Sequence, residues 1–143
     1  MYLFLAQSDT TAGFLSKSKD RILLAKQNMQ NKPILVESNS LFLIKKHSKI
    51  PQKINKAIRR SKKTTFIFQN NKSFRLVDDG LHSQFLEHFG LLYSSSANLH
   101  KHKFDLNFAI NKADVLIMDK RGIFESSPSK IFKIKKDKIK KIR

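Results

Sequence analysis

Four short segments of the sequence concentrate small polar and basic side chains between apolar runs: SDTTAGF at residues 8–14, KQNMQNKP at 26–33, SSSAN at 94–98 and SSPSKI at 126–131. Hydroxyl and amide groups can orient a polar ligand through hydrogen bonds, and lysine neutralises phosphate charge. No pair of carboxylates stands out as a general acid and base. Chemistry at these segments would therefore depend on positioning the reactants.

The familiar sequence motifs of phosphate and metal sites are absent. GxxxxGK[ST], GxGxxG and HExxH do not occur, and the histidines show no ligand spacing beyond His100-Lys101-His102, which we interpret as an exposed turn. Asp78-Asp79 before Gly80 is most simply a turn followed by a helix cap. Since the chain has no cysteine, disulfides, thiolate metal sites and a cysteine nucleophile are excluded. The sequence predicts neither catalytic side chains nor protein ligands for a metal.

Alternating apolar runs and helical patterns must position these segments, and they predict an α/β fold. The sheet is expected to be twisted and mixed, with helices flanking it. In the N-terminal half we predict a strand at 2–6, a polar turn at 7–13, a helix at 19–26 capped by Ser18, a strand at 33–36, and helices at 41–46 and 51–60.

In the C-terminal half, paired β-rich runs around asparagines or lysines predict hairpins. We predict a hairpin at 64–77, a helix from Leu81 to Phe89 closed by Gly90, a strand at 91–93 that leads into the serines as a loop, a helix at 105–111, a strand at 115–118 and a closing hairpin at 131–142. The basic C-terminal stretch also fits a disordered tail or a membrane-surface helix, but its symmetric apolar flanks favour the hairpin. We expect one domain, residues 1–143, with one core.

Charge is the most unusual property of the composition. The chain has 29 Lys and Arg against 11 Asp and Glu, which gives a net charge of +18 and favours a polyanionic partner such as RNA. The competing interpretation is the lysine-rich surface that an AT-rich genome encodes on any protein. The candidate RNA surface is the basic face of the helix at 51–60 and the residues after it: Lys53, Lys56, Arg59, Arg60, Lys62 and Lys63.

The apolar runs also bear on location. None approaches the roughly 20 apolar residues that cross a bilayer, and the N-terminal MYLFLAQSDT lacks the basic leader and long apolar run of a signal peptide. We therefore expect a cytoplasmic protein without a membrane partner.

The order of the polar segments resembles the YrdC-like threonylcarbamoyl-AMP synthases. That family carries a pattern close to PTDTVYGL, KxRPxxKPL, PGPLT, an arginine within VRVP, PSAN, STI and LRxG. The matching segments here occur in the same order at 7–14, 26–33, 61–65, Arg75, 95–98, 128–131 and 142–143. The resemblance thus extends over nearly the whole chain.

The resemblance implies a single YrdC-like domain with nucleotidyltransferase activity. Threonine, bicarbonate and ATP would give threonylcarbamoyl-AMP and pyrophosphate, the first half of threonylcarbamoyladenosine formation beside the tRNA anticodon. Mg²⁺ is expected to accompany ATP, and tRNA or other threonylcarbamoylation proteins are expected partners.

The resemblance also implies roles for individual residues, which we expect to converge on one cavity. Nucleotide binding falls to Lys26, Asn28, Thr65, Ser96, Asn98, Ser129 and Arg143. Threonine binding falls to Ser8, Thr10, Lys32 and Arg75.

The sequence departs from the family at several of these positions. Asn28 stands where the family has the arginine of KxR, and Glu37 takes the place of a histidine. Loss of a guanidinium removes a bidentate phosphate clamp. The alternative hypothesis is therefore a non-catalytic YrdC-like module that binds double-stranded RNA or tRNA through its basic surface. A third is a structural partner of the tRNA-modifying machinery.

Overall fold

The computed structural model describes residues 1–27 and 34–143, and it divides the chain into two compact units. The first unit comprises Met1–Ile34 and Leu92–Pro128. The second comprises Leu35–Leu91 and Ser129–Arg143.

The described residues form strands and helices that alternate over most of the chain. The strands are β1 (Phe4–Gln7), β2 (Ala12–Ser16), β3 (Leu35–Ser38), β4 (Thr64–Ile67), β5 (Ser73–Leu76), β6 (Leu91–Ser96), β7 (Val115–Ile117), β8 (Lys130–Lys135) and β9 (Lys138–Lys141). The helices are α1 (Lys19–Ala25), α2 (Leu41–His47), α3 (Asn55–Arg60), α4 (Gly80–Glu87) and α5 (Leu106–Lys112).

In the first unit the strand order is β7-β1-β2-β6. Strand β1 is parallel to β7 and antiparallel to β2, and β2 is antiparallel to β6. Gly13 is opposite Ser96, and a Cβ at residue 13 would lie 3.3 Å from the Ser95 carbonyl oxygen. Leu5, Phe14 and Ile22 are fully buried in a cluster that also contains Ala109 of α5. This packing holds the serines of β6 beside β2.

In the second unit the strand order is β3-β5-β4-β8-β9. The pairs β3–β5 and β4–β8 are parallel, whereas β4–β5 and β8–β9 are antiparallel. Apolar residues of α2 and α3 pack on this unit's strands in a second cluster with Phe66 and Phe74, whose rings stack at 5.6 Å. The predicted α/β class with mixed strand pairing is confirmed. The single-domain assignment stays a prediction, and the expected single core is here one cluster in each unit.

Both predicted hairpins are confirmed, with Asn71 and Lys136 in the left-handed conformation at their turns. Two strand predictions need correction. The polar turn predicted at 7–13 ends earlier, because Ala12 and Gly13 already belong to β2, which the sequence did not predict. The serines after Tyr93 are also not a loop, since β6 runs through them and pairs with β2.

The predicted helices are at the right positions in the chain, but their caps, first turns and buried faces differ from the predictions. Ser18 and Asp79 are the N-cap residues of α1 and α4, yet neither side chain makes a capping hydrogen bond. Pro51 precedes a 3₁₀ turn at Gln52–Ile54 rather than the first α-helical turn. Helix α4 buries His82 and Leu86, a face that the spacing of Leu81, Phe85 and Phe89 does not show. Among the described residues, no helix is long and apolar enough to span a membrane.

Candidate functional site

The Ser96–Asn98 segment is a tightly hydrogen-bonded end of β6. The Ala97 N–H donates to the Ala12 carbonyl at 2.9 Å, which ties the segment to β2. The Ser96 hydroxyl donates to Asn98 Oδ1 at 2.5 Å, and Asn98 Nδ2 donates to the carbonyls of Leu99 and His102. A segment with so many internal hydrogen bonds has little conformational freedom, so it presents its polar groups in one arrangement.

Lys26 supports this segment from the end of α1. Its Nζ donates to Ser96 O at 2.7 Å, Asn98 O at 2.8 Å and Asn98 Oδ1 at 3.1 Å. Burial lowers the pKa of Lys26 to about 8. The structure thus brings Lys26 together with Ser96 and Asn98, and the convergence of all the predicted site residues on one cavity stays a prediction. Its ammonium hydrogens bind protein oxygens here, and contact with phosphate stays a prediction.

A cavity of about 230 Å³ lies beside this segment within the first unit. Its lining includes Ser96 and Asn98 together with His102, Phe104, Glu125 and Ser126. These groups offer an aromatic surface for a planar ring, hydrogen-bonding groups for its edges, and a carboxylate whose oxygens suit Mg²⁺. His102, Phe104 and Glu125 were not predicted from the sequence to line a site. Nothing in the local sequence shows that the loop after β6 and residues 125–128 lie together.

The predicted threonine-binding residues Ser8 and Thr10 form one buried turn. Ser8 Oγ lies 3.1 Å from Thr10 Oγ1 and donates to the Thr11 carbonyl at 2.7 Å. The N–H groups of Thr10 and Thr11 both donate to Ser8 Oγ. These hydroxyls therefore shape the turn, and threonine binding stays a prediction.

Arg121 supports the same turn from outside, a role that was not predicted from the sequence. Its guanidinium donates to the carbonyls of Ser8 at 3.0 Å and Gln7 at 2.8 Å, while Asp119 pairs with it at 2.6 Å. The Gln7 side chain in turn accepts from the Phe124 N–H at 2.9 Å. The turn is consequently fixed by long-range contacts that no local motif shows.

In the second unit, three predicted nucleotide-binding residues lie together. Thr65 Oγ1 is 2.8 Å from Ser129 Oγ, and both side chains are buried. Arg143 donates to the Ser129 carbonyl through Nε at 3.0 Å and Nη2 at 2.9 Å. The parallel pairing of β4 and β8 explains the contact, because Thr64 and Thr65 lie opposite Lys130 and Ile131.

Arg75, predicted to bind threonine, forms a buried charge cluster with Glu37 and His82. Its guanidinium pairs with Glu37 Oε1, and His82 Nε2 lies 2.7 Å from Glu37 Oε2. Burial alone would raise the pKa of Glu37, but Arg75 and His82 lower it far below its usual range. Glu37 is therefore ionised and compensates the Arg75 charge. The sequence analysis identified neither Glu37 nor His82 as part of a cluster.

The predicted RNA surface is exposed along its whole length. Two of its lysines have acidic neighbours: Lys62 pairs with Asp78 and Asp79 at 2.9 Å, and Lys53 lies 3.8 Å from Asp137. Asp79 thus binds a lysine instead of capping α4. Asn28 and Lys32, the remaining predicted site residues, lie outside the described residues.

No protein-family model and no curated protein sequence matches this chain. Solved structures do match. P. abyssi Sua5 complexed with L-threonine has a TM-score of 0.79 at 14% identity over 99% of this chain and 50% of its own. E. coli YciO has a TM-score of 0.76 at 14% identity over 99% of this chain and 82% of its own.

Phosphate- and nucleotide-bound full-length HypF has a TM-score of 0.75 at 14% identity over 99% of this chain and 26% of its own. The chain thus spans about half the length of the Sua5 structure and about a quarter of HypF. Matches over 99% of the chain identify its architecture as the YrdC-like fold that Sua5 and YciO share.

Proposed function

We propose that this protein is an L-threonylcarbamoyladenylate synthase-like nucleotidyltransferase that acts in tRNA threonylcarbamoyladenosine modification. One observation supports the proposal most: the Ser96–Asn98 segment, braced by Lys26, borders a cavity in a chain with the fold of Sua5. One Sua5 structure was solved with L-threonine and the HypF structure with phosphate and nucleotide, and these are the classes of ligand that the proposal assigns to this chain.

In the proposed reaction, a carbamate oxygen of carboxylated threonine attacks the α-phosphorus of ATP, and the bond to pyrophosphate breaks. No side chain has to form a covalent intermediate, so rate acceleration comes from orientation and from neutralising phosphate charge. In the first unit, the proposal assigns nucleotide binding to Ser96 and Asn98 and threonine binding to Ser8 and Thr10. In the second unit, it assigns phosphate binding to Thr65, Ser129 and Arg143 and threonine binding to Arg75.

Mg²⁺ would neutralise charge on the ATP phosphates. Among the described residues that line the cavity, Glu125 provides the carboxylate, and the hydroxyl of Ser126 lies in the same lining. Mg²⁺ usually takes one or two carboxylates and completes its shell with phosphate oxygens and water. The lining therefore fits the ion in the company of a nucleotide.

We expect the double substitution Ser96→Ala and Asn98→Ala to weaken ATP binding about tenfold or more, because two polar side chains of the cavity are lost. Isothermal titration calorimetry measures the affinity, and circular dichroism checks the fold. Asn107→Ala, on an exposed position of α5, is the matched control and should bind ATP as the wild type does. Unchanged ATP affinity in a folded double variant would show that these two side chains stabilise the turn and do not bind ATP.

The activity itself is tested by incubating the protein with threonine, bicarbonate, ATP and Mg²⁺ and measuring pyrophosphate and threonylcarbamoyl-AMP. Gene deletion followed by mass spectrometry of tRNA nucleosides is the corresponding test in the cell. Loss of threonylcarbamoyladenosine supports the synthase. If the modification level is unchanged and no product forms in vitro, the synthase proposal is wrong. The non-catalytic alternative would then be favoured.

The alternative is a non-catalytic YrdC-like module that binds double-stranded RNA or tRNA. The observation that favours it is the exposure of Lys53, Lys56, Arg59 and Arg60 on α3 and the turn before it. The surface has more lysine than arginine, which provides attraction without bidentate geometry.

Charge reversal at Arg59 and Arg60 tests that surface. We expect Arg59→Glu with Arg60→Glu to weaken tRNA binding and to lower the log-log salt slope by about 1.4–1.8, since each phosphate contact contributes about 0.7–0.9. Fluorescence titrations at several salt concentrations, with heparin as a second polyanion, provide the measurement. Lys101→Glu with Lys103→Glu makes the same charge change on exposed residues of the other unit. Equal losses in both variants would indicate diffuse attraction only.

A further inference from the structure

The positive charge of the chain is concentrated in one of its two units. The second unit contains 19 Lys and Arg against 5 Asp and Glu, whereas the first contains 10 against 6. The cavity beside Ser96 and Asn98 belongs to the first, nearly balanced unit. A nucleotide-binding role for that cavity consequently leaves most of the charge unexplained.

The second unit has a groove of its own, about 280 Å³ in volume, where β4 and β8 reach their turns. Phe68 and Ile134 are buried and form an apolar floor, with Pro51 beside them. Four exposed side chains complete the lining: Lys49, Gln69, Asn70 and Lys136.

The groove is held rigidly by its neighbours. The ring of Phe68 stacks on Phe74 at 5.2 Å, and its backbone N–H donates to the Lys72 carbonyl at 2.8 Å. Asn70 Oδ1 accepts from the Lys72 N–H at 3.0 Å, which fixes the amide. A preformed groove binds a ligand without a large ordering cost.

The composition of the lining indicates the chemistry of its ligand. An apolar floor accepts a flat ring, and the amides of Gln69 and Asn70 can donate to and accept from the edges of a nucleobase. Two lysines without an acidic residue among the described lining residues select an anionic ligand. The volume is near the lower end for ligand pockets, about right for a single base.

The groove continues into the basic surface of α3. Pro51 belongs to the groove, Lys53 follows two positions later, and Lys53 Nζ lies 3.8 Å from Asp137, the neighbour of Lys136. A nucleic-acid strand with one base in the groove would therefore have Lys53, besides the two lining lysines, available for its phosphates. Paired bases of a duplex are stacked and turned inward, so only an unpaired nucleotide can enter.

We propose that this groove is a binding site for an unpaired base of single-stranded RNA, with Lys49, Lys53 and Lys136 contacting the adjoining phosphates. The site goes beyond the synthase activity and does not require it. It also differs from the predicted RNA surface on and around α3 (the α3 surface), which attracts the phosphates of any RNA without contacting a base.

The test is a fluorescence anisotropy titration of short, labelled single-stranded RNA at about 0.1 M salt, where surface charges are partly screened. A duplex of the same sequence and a matching oligomer of abasic ribose phosphates are titrated alongside. The variant Lys49→Glu with Lys136→Glu removes charge at the groove. Its matched control is Lys133→Glu with Lys140→Glu, a cross-strand pair that alternates with the inward-facing Ile134 and so lies on the other face of the hairpin.

We expect at least about fivefold weaker binding of the abasic oligomer, because base contacts contribute substantially to single-strand affinity. Reversal at Lys49 and Lys136 should weaken single-strand binding at least about tenfold, and the control reversal at most about threefold. Equal affinity for the abasic oligomer overturns the proposal but leaves the α3 surface in place. Equal losses from the two reversals, with both variants folded, overturn it as well.

Discussion

Replacing Glu37 by Gln is expected to lower the free energy of unfolding by about 3–5 kcal/mol, because it removes the carboxylate that pairs with the buried Arg75 charge. The side chains of Glu37, Arg75 and His82 are 0%, 5% and 1% exposed. Water therefore cannot replace the lost carboxylate. Urea unfolding followed by circular dichroism measures the change.

The exposed Glu87 on α4 provides the matched control for this substitution. Glu87→Gln should change the free energy of unfolding by less than about 0.5 kcal/mol. The double variant Glu37→Met with Arg75→Met should recover part of the loss, since a buried ion pair can often be replaced by apolar side chains. If Glu37→Gln lowers the free energy of unfolding by less than about 1 kcal/mol, Glu37, Arg75 and His82 do not form a buried charge cluster.

The same cluster predicts how stability depends on pH. Since the pKa of Glu37 is lowered in the folded protein, its stabilising contribution is complete above the unfolded value of about 4.3. The contribution is lost as pH falls towards the lower folded value. The difference in unfolding free energy between wild type and Glu37→Gln should thus shrink below about pH 4.

Glu37 also bears on the proposed threonine site. The carboxylate of a bound threonine would have to share the Arg75 guanidinium with Glu37. The predicted role of Arg75 therefore requires that Glu37 leave some of the guanidinium N–H donors available for threonine. Arginine has five N–H donors, so sharing is chemically feasible. The cluster would then hold the guanidinium in a fixed orientation for threonine.

Local chemistry explains which elements the sequence could predict. The turn of the 64–77 hairpin needs a left-handed residue, and Asn71 adopts that conformation with little cost. Helix α5 begins after Asp105, whose side chain accepts from the Phe108 N–H at 3.2 Å. In both cases the residues that decide the structure are within a few positions of one another.

Long-range pairing explains what the sequence could not predict. Ser94, Ser95 and Ser96 have weak strand preference, yet β2 pairs with them and provides their backbone partners. Strand β2 itself is buried on both faces, so it lacks the alternation that marks a half-buried strand. Glu37 and His82 are 45 residues apart. A charged residue directly after the apolar run at 34–36 was the available signal for a buried partner.

The parts of the candidate site also differ in how local their sequence signals are. The order of motifs led to Ser96 and Asn98, which do border a cavity. It could not lead to Arg121, because the carbonyls of Ser8 and Gln7 that it binds belong to a turn more than 110 positions earlier. Sequence motifs therefore identify residues that line a cavity more readily than the distant residues that support those lining residues.

Lys26 is such a supporting group, and its replacement by Met is expected to reduce ATP affinity at least as much as the loss of Ser96 and Asn98 side chains. The substitution removes the hydrogen bonds to Ser96 O, Asn98 O and Asn98 Oδ1 that hold the segment in place. Lys26→Arg retains a charge and donors and should recover part of the affinity. Lys103→Met, at an exposed position of the same unit, is the control and should leave ATP binding unchanged.

The dependence of stability on pH distinguishes a buried ammonium from an ordinary surface lysine. The pKa of Lys26 falls from 10.5 to about 8 on folding, so between these values the unfolded chain binds more protons than the folded one. Unfolding free energy should therefore rise with pH across this window, by up to about 3 kcal/mol relative to Lys26→Met. Below pH 8 the two curves should run parallel. Curves that stay parallel up to pH 10.5 would contradict this prediction, and would mean that the hydrogen bonds of the Lys26 ammonium offset the cost of its burial and keep the pKa at its ordinary value.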